Sequence, residues 1–232
     1  MSTLLLRLAA PLQSWGIGAK FDRRGTERVP TKSGVVGLVA AALGCRRDEP
    51  VEDLRELRFG VRIDREGTLL CDFHTARNER TAYVTRRYYL ADAVFLAGLE
   101  GNEALLQQIH NALCAPAFPL FLGRRSCPPE GRVSLGIREG KTLYEALREE
   151  PWLASEWARR KEPPEVRLRI VMDADAGKGA YFQRDLPVSF RQIHREFGFR
   201  RVRELPPLVV PNPDNRYSAA ERPTKHDPMS EL

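Results

Sequence analysis

A chain of 232 residues with 42% hydrophobic content can bury one sizeable core and carry appendages on it. It has no apolar run of 18 residues, and its opening stretch MSTLLLRLAAPLQSW is broken by Arg7. The sequence therefore offers no membrane span and reads as a soluble, cytoplasmic protein. The net charge of +6 comes from 31 Arg and only 6 Lys against 31 acids, and it is segregated: residues 1–47 hold eight bases and two acids, residues 139–165 five bases and seven acids. An evenly spread +6 would be a solvated surface, whereas clustered guanidinium groups, which grip phosphate through a planar fork of donors, point to nucleic acid.

In chain order, residues 3–10 (TLLLRLAA), ended by Pro11, predict a buried strand. Residues 12–30 mix three glycines with four bases and two exposable aromatics, Trp15 and Phe21, and predict an exposed loop. Thr31 then opens an N-capped helix that closes at Gly44. The alternation in 57–64 and 68–75, separated by a short REG connection, predicts a hairpin. Residues 91–99 predict a strand, 101–116 a helix through Leu105, Ile109, Ala112 and Leu113, and 132–138 a further strand.

That order is the ferredoxin-like split unit shared by RNA-recognition domains. Residues 76–90 interrupt it with a protruding basic, aromatic hairpin. After residue 140 come one or two short helices, a strand over 165–173 and arginine-rich strands or loops over 184–210. A polar, proline-punctuated tail over 211–232 predicts flexibility. The expected fold class is α+β: a domain over 1–140 with the inserted thumb, and a smaller β-rich extension over 141–210 packed on it.

Three clusters carry candidate binding chemistry. The first joins Trp15, Lys20, Arg23, Arg24 and Arg28 to PTKSG (30–34), where Thr31, Lys32, Ser33 and free amides at a helix N-terminus form a phosphate seat. It is not a nucleotide-hydrolysing loop, since Thr26 and Thr31 stand where that motif needs glycine. The second is the turn Gly123, Arg124, Arg125 and Ser126. The third is the hairpin, where Arg77, Arg80, Arg86 and Arg87 accompany Tyr83, Tyr88 and Tyr89, the phosphate-neutralising and base-stacking ingredients of single-strand binding. A packed tyrosine, a solvated arginine loop and an ordinary helix cap are the plainer readings of the same residues.

His74, His110, His194 and His226 have no neighbouring pattern that marks a nucleophile, metal site or acid/base pair, and no catalytic residue is expected. Cys45, Cys71, Cys114 and Cys127 lie 26, 43 and 13 residues apart, which fits neither a zinc knuckle nor a disulfide framework. They read as reduced thiols, and no metal or other cofactor is expected.

LLLRLAAPLQSWG (4–16), RVPTKSGVVGLVAAALGCRRDE (28–49) and LFLGRRSCP (120–128) together resemble the fifth CRISPR-associated (Cas) protein family, in its type I-E, or Cascade, branch. The resemblance spans roughly the first 140 residues. It implies an RNA-recognition-like domain whose loop 15–28, PTKSG cap and GRRSC turn seat the repeat-derived 5′ handle of the CRISPR RNA (crRNA). The segment 76–90 would then be a thumb pressing between handle and spacer.

Implied partners are the backbone subunit that polymerises along the guide, the large subunit that reads the protospacer-adjacent motif, and target DNA in the assembled complex. Base pairing there supplies target specificity. In type I-C systems a member of this family is itself the endoribonuclease that processes precursor RNA, an activity resembling a tyrosine, lysine and histidine constellation. The one neighbouring Lys-His pair in this chain, Lys225-His226, lies in the tail, which favours a non-catalytic role.

Overall fold

The computed structural model describes residues 1–16, 23–77, 81–175 and 177–216. Its first strand, β1 (Ser2–Ala9), is buried along its length except at Arg7, because it runs through the interior of a sheet covered on both faces. Short strands β2 (Leu12–Gln13) and β3 (Arg23–Arg24) precede helix α1 (Lys32–Leu43). Then follow α2 (Glu52–Glu56), β4 (Arg58–Arg65), β5 (Thr68–Arg77), β6 (Ala82–Ala91), β7 (Val94–Gly101), α3 (Glu103–Cys114) and β8 (Ser134–Arg138). Helices α4 (Leu143–Glu149) and α5 (Glu156–Arg159) lead into β9 (Glu165–Asp173), β10 (Ala180–Phe190) and β11 (Arg195–Pro211).

Seven strands form one antiparallel sheet in the order β10-β11-β9-β4-β7-β1-β8. Helices α1 and α3 pack on each other and on one face, over a core that includes Leu4, Leu6, Leu8, Phe59, Phe95 and Ile109. Helix α4 covers the other face at β4, β7 and β1, burying Leu5, Leu96, Leu143, Leu147 and Ile170. The protein is thus a mixed α+β fold built on a large antiparallel sheet. Helix ends obey local chemistry: Thr31 Oγ1 accepts from the Gly34 amide (3.2 Å), Asn102 caps α3, and Thr142 with Glu145 closes a capping box on α4. Gly44, at φ +83°, ends α1 in the left-handed conformation that favours glycine.

The expected hairpin between 57–64 and 68–75 does not form. Strand β4 pairs with β7 and β9, while β5 pairs with β6 along its whole length, so 68–75 is one arm of the projecting hairpin. Burial explains the separation: β4 is buried at six of its eight positions, whereas β5 leaves Leu69, Leu70, Phe73 and His74 exposed. The hairpin belongs to a second sheet in which β6 pairs with β5 on one edge and with β2 and β3 on the other. Residues 212–216 are also less free than their composition predicts. Asn212 is buried and its Nδ2 donates to the carbonyls of Arg159 (2.8 Å) and Pro163 (3.0 Å). The remainder of the expected tail, 217–232, lies outside the described residues.

One ion pair is wholly internal. Arg62 on β4 donates through Nε and Nη2 to the two oxygens of Asp64 (2.7 and 2.8 Å), and through Nη1 and Nη2 to the carbonyls of Leu147 (2.6 Å) and Pro151 (2.8 Å). Asp64 Oδ2 also accepts from the Leu153 amide (2.7 Å), so the pair anchors the chain where α4 ends. Arg62→Met removes one partner and leaves Asp64 buried and uncompensated, a loss of about 3–5 kcal/mol. It should appear as a lower urea midpoint at unchanged slope.

Candidate nucleic-acid interface

The site is assembled from three distant segments. The first leaves β1 through Gln13, whose buried amide donates to the carbonyls of Leu8 (3.2 Å) and Ala93 (2.7 Å) and whose Oε1 accepts from Trp15 Nε1 (3.1 Å). The Trp15 amide donates to Thr26 Oγ1 (2.8 Å) and its carbonyl accepts from the Glu27 amide (3.0 Å), so the loop leaves and returns at one point. Within this loop β3 lies parallel along β6, with Arg23 beside Arg86 and Arg24 beside Arg87.

The second segment is the β5–β6 hairpin. Side chains alternate along a strand, so Arg86, Tyr88 and Phe73 share one face while Arg87 and Tyr89 share the other. Arg23 stacks 5.2 Å from the Tyr88 ring centroid and Arg86 5.7 Å from that of Phe73.

The third segment is the turn 122–127, closed by Leu122 N to Cys127 O (2.7 Å) and Cys127 N to Arg124 O (2.9 Å). Gly123 has φ +85°, and a Cβ there would stand 1.6 Å from the Ser14 carbonyl oxygen, so only glycine lets the turn lie on the first segment. Arg124 bridges all three segments: its guanidinium lies 4.6 Å from the Tyr89 ring and its Nη2 donates to the carbonyls of Arg24 (2.9 Å) and Gly25 (3.2 Å). Arg125 and Ser126 are exposed beside it.

The cluster is cationic. Arg23, Arg24, Arg28, Arg77, Arg86, Arg87, Arg124 and Arg125 have no ion-pair partner among the described residues, although Asp72 lies across the ladder from Arg87; Arg184 and Arg201 on β10 and β11 are likewise without one, whereas Arg62, Arg138, Arg159, Arg169 and Arg200 are paired. Like charges set side by side across strands repel, and β3 and β6 do this twice. Arg87 Nε and Arg124 Nη1 are buried without a hydrogen-bond acceptor. A cationic cluster of this kind has the chemistry to bind acceptors from outside the chain.

Two expectations are corrected. Trp15 is 1% exposed and packs against Gly34, so it is part of the core and offers no stacking surface. The phosphate seat at PTKSG is filled by the protein itself: the Lys32 amide donates to Asp185 Oδ2 (2.8 Å), Lys32 Nζ pairs with Asp173 (3.0 Å), and Thr31, Lys32 and Ser33 are buried. Arg200 completes the cluster by binding both Asp185 oxygens (2.6 and 2.9 Å) and Asp173 (2.5 Å). Burial lowers the Lys32 pKa, with Asp173 opposing the shift. The two carboxylates lie 141 and 153 residues along the chain from Lys32, beyond the reach of any local motif. Lys20 and Arg80, also expected at the site, lie outside the described residues.

The histidines occupy separate elements. His74 is on β5, His110 on α3 with Nδ1 2.7 Å from Ser134 Oγ, and His194 is beside Glu196 (3.2 Å) where β10 turns into β11. No group of three potential metal ligands occurs among the described residues, and no helix there is long and apolar enough to cross a membrane.

Fold and site together define an antiparallel α+β protein carrying a basic, aromatic hairpin clamped at its base by an arginine turn. Residues 3–203 match the family described as CRISPR-associated protein (Cas_Cas5), and the chain belongs to that family. It is 34% identical over 169 residues, 63% of this chain and 75% of the relative, to the Escherichia coli (strain K12) protein named CRISPR system Cascade subunit CasD. Among solved structures it is similar to one titled "CRISPR RNA-guided surveillance complex" (TM-score 0.74, 33% identity, 90% of this chain and 91% of that one). It is also similar to one titled "Crystal structure of Cas protein" (TM-score 0.70, 42% identity, 93% and 98%).

Because Lys32 is an internal ion-pair partner, Lys32→Met should act on stability. The expected loss is about 1.5–3 kcal/mol, the range for a hydrogen bond to a charged group, read by urea unfolding. RNA affinity of the fraction that remains folded should be unchanged.

Proposed function

We propose that this chain is a non-catalytic subunit of a type I-E Cascade, a CRISPR RNA-guided surveillance complex, and that it holds the 5′ handle of the crRNA on the arginine cluster at the base of the β5–β6 hairpin. The observation that carries this reading is the doubled like-charge register of Arg23 with Arg86 and Arg24 with Arg87, beside the acceptor-less donors of Arg87 and Arg124. A polyanion turns that repulsion into attraction, and each phosphate bound releases counterions. The family membership, the likeness to the E. coli Cascade subunit and the likeness to the surveillance complex support the same assignment.

The order β8-β1-β7-β4, with α1 between β1 and β4 and α3 between β7 and β8, is the order of a ferredoxin-like unit. On this reading the part up to about residue 140 is an RNA-recognition-like domain, and the hairpin, now 68–91, is its thumb. Later strands extend its sheet. Plain RNA-recognition domains stack bases on an open sheet face. Here α4 covers that face at β4, β7 and β1, so the RNA surface moves to the hairpin. The partners proposed with it are the backbone subunit, the large subunit that reads the protospacer-adjacent motif, and target DNA in the assembled complex.

The reading is tested with 5′-labelled repeat RNA in EDTA, on a native gel for binding and a denaturing gel for cleavage. Wild type should shift the RNA uncut, and Arg86→Ala with Arg87→Ala should weaken binding and flatten the log–log salt slope by about 1.4, from ~0.7 per single-strand phosphate contact. Equal binding by the double variant would remove the site, and metal-independent cleavage at one position would make the protein a processing endoribonuclease.

A further inference from the structure

At the outer edge of the seven-stranded sheet, β10 and β11 carry a second arginine–aromatic surface that shares no residue with the β5–β6 hairpin. Phe182 lies directly across the ladder from Arg201, whose guanidinium is 5.5 Å from the ring centroid. One step along, Arg184 is 6.0 Å from the centroid of Phe199. Phe199 and Arg201 are two apart on one strand and so project from the same face. Arg200, between them, points the other way into its buried pair with Asp185, and Val202 is fully buried. The ladder thus has an inner face that packs on α1 and an outer face bearing Phe182, Arg184, Phe199 and Arg201.

This outer face is open. Phe182 is 65% and Phe199 63% exposed, and α4 lies over β4, β7 and β1 instead. Neither Arg184 nor Arg201 has an ion-pair partner among the described residues, although Arg169 nearby on β9 pairs with both Glu204 and Glu66. Arg184 Nε donates to the Phe197 carbonyl (3.3 Å), which leaves its charge unneutralised. Two rings held out in water, each with a guanidinium over it that has no counter-charge, match a ligand that alternates flat rings with negative charges.

We propose that this face binds single-stranded DNA, with Arg184 and Arg201 on phosphates and Phe182 and Phe199 stacked on bases. The core of a protein–protein interface would present contiguous apolar area with few charges, whereas here each ring alternates with a cation. DNA is favoured over RNA by the donor and acceptor inventory. Phe and Arg side chains offer no acceptor, so a ribose 2′-hydroxyl packed against them could accept from a guanidinium but would leave its own hydrogen without a partner, while deoxyribose has no such hydrogen to desolvate.

The test is fluorescence anisotropy of a labelled oligothymidylate with the full chain in an Arg86→Ala, Arg87→Ala background, which weakens the hairpin site. Each variant is read as its difference from that background, so the test holds whether or not the hairpin binds the RNA handle. Phe182→Ala with Phe199→Ala should weaken binding at least about tenfold, the scale of a lost base–aromatic stack. Phe182→Trp with Phe199→Trp should retain it, and Arg184→Ala with Arg201→Ala should flatten the salt slope by about 1.4. All three pairs are surface changes, so their melting temperatures should match the background. Unchanged affinity in the Phe→Ala variant would overturn the proposal, as would tighter binding of oligouridylate than of oligothymidylate.

Discussion

Two carboxylates, Asp173 and Asp185, hold this protein's N- and C-terminal halves together by sharing one guanidinium, one ammonium and one helix amide. Arg200 contacts both, Lys32 Nζ takes Asp173, and the Lys32 amide takes Asp185. The cluster ties β9, β10 and β11 to the first turn of α1. Without it the buried cations would be intolerable, and with it they rank among the strongest constraints on how the late strands sit. Asp173 Oδ2 also accepts from the Phe59 amide (2.9 Å), extending the constraint to β4, the strand from which the chain departs into the hairpin.

From that anchored helix the geometry of the arginine site follows. Pro30 and Thr31 fix where the preceding loop must end, and Trp15, buried against Gly34, fixes where it begins. Arg23 and Arg24, between them, are thereby laid along β6. Arg124 then locks this stretch from the far side through the carbonyls of residues 24 and 25, and Gly123 permits the close approach. Repulsion between neighbouring guanidinium groups is thus held in place by neutral contacts, backbone hydrogen bonds and stacked rings, leaving the charges themselves unspent.

What was legible in the sequence is what local chemistry decides. Strand β1 and helices α1 and α3 follow from apolar periodicity, and the ends of α1 from Thr31 and Gly44. The turn at Gly123 was legible from its glycine and paired arginines, and the hairpin from its mixture of arginine and tyrosine. Pairing was not legible, because alternation marks a strand without naming its neighbour. Residues 68–75 therefore read as the neighbour of β4, although their partner is β6. Trp15 read as exposed because glycines and bases follow it, yet it alternates with Gln13 as a buried pair. PTKSG read as an open phosphate seat because the carboxylate that fills it is 153 residues away. The face of β10 and β11 was hidden in a stretch legible only as arginine-rich, since which side each arginine takes depends on the register.

The span of that charge cluster also governs the order in which the molecule can be made. Lys32 leaves the ribosome long before Asp173 and Asp185, so α1 has no counter-charge for its first turn while most of the chain is being synthesised. Contacts of such sequence separation form late, after a large loop-closure cost. The first turn of α1 therefore gains its counter-charges only once β9, β10 and β11 have docked. The nascent N-terminal half, basic and incompletely folded, is the species that a cell's chaperones would meet.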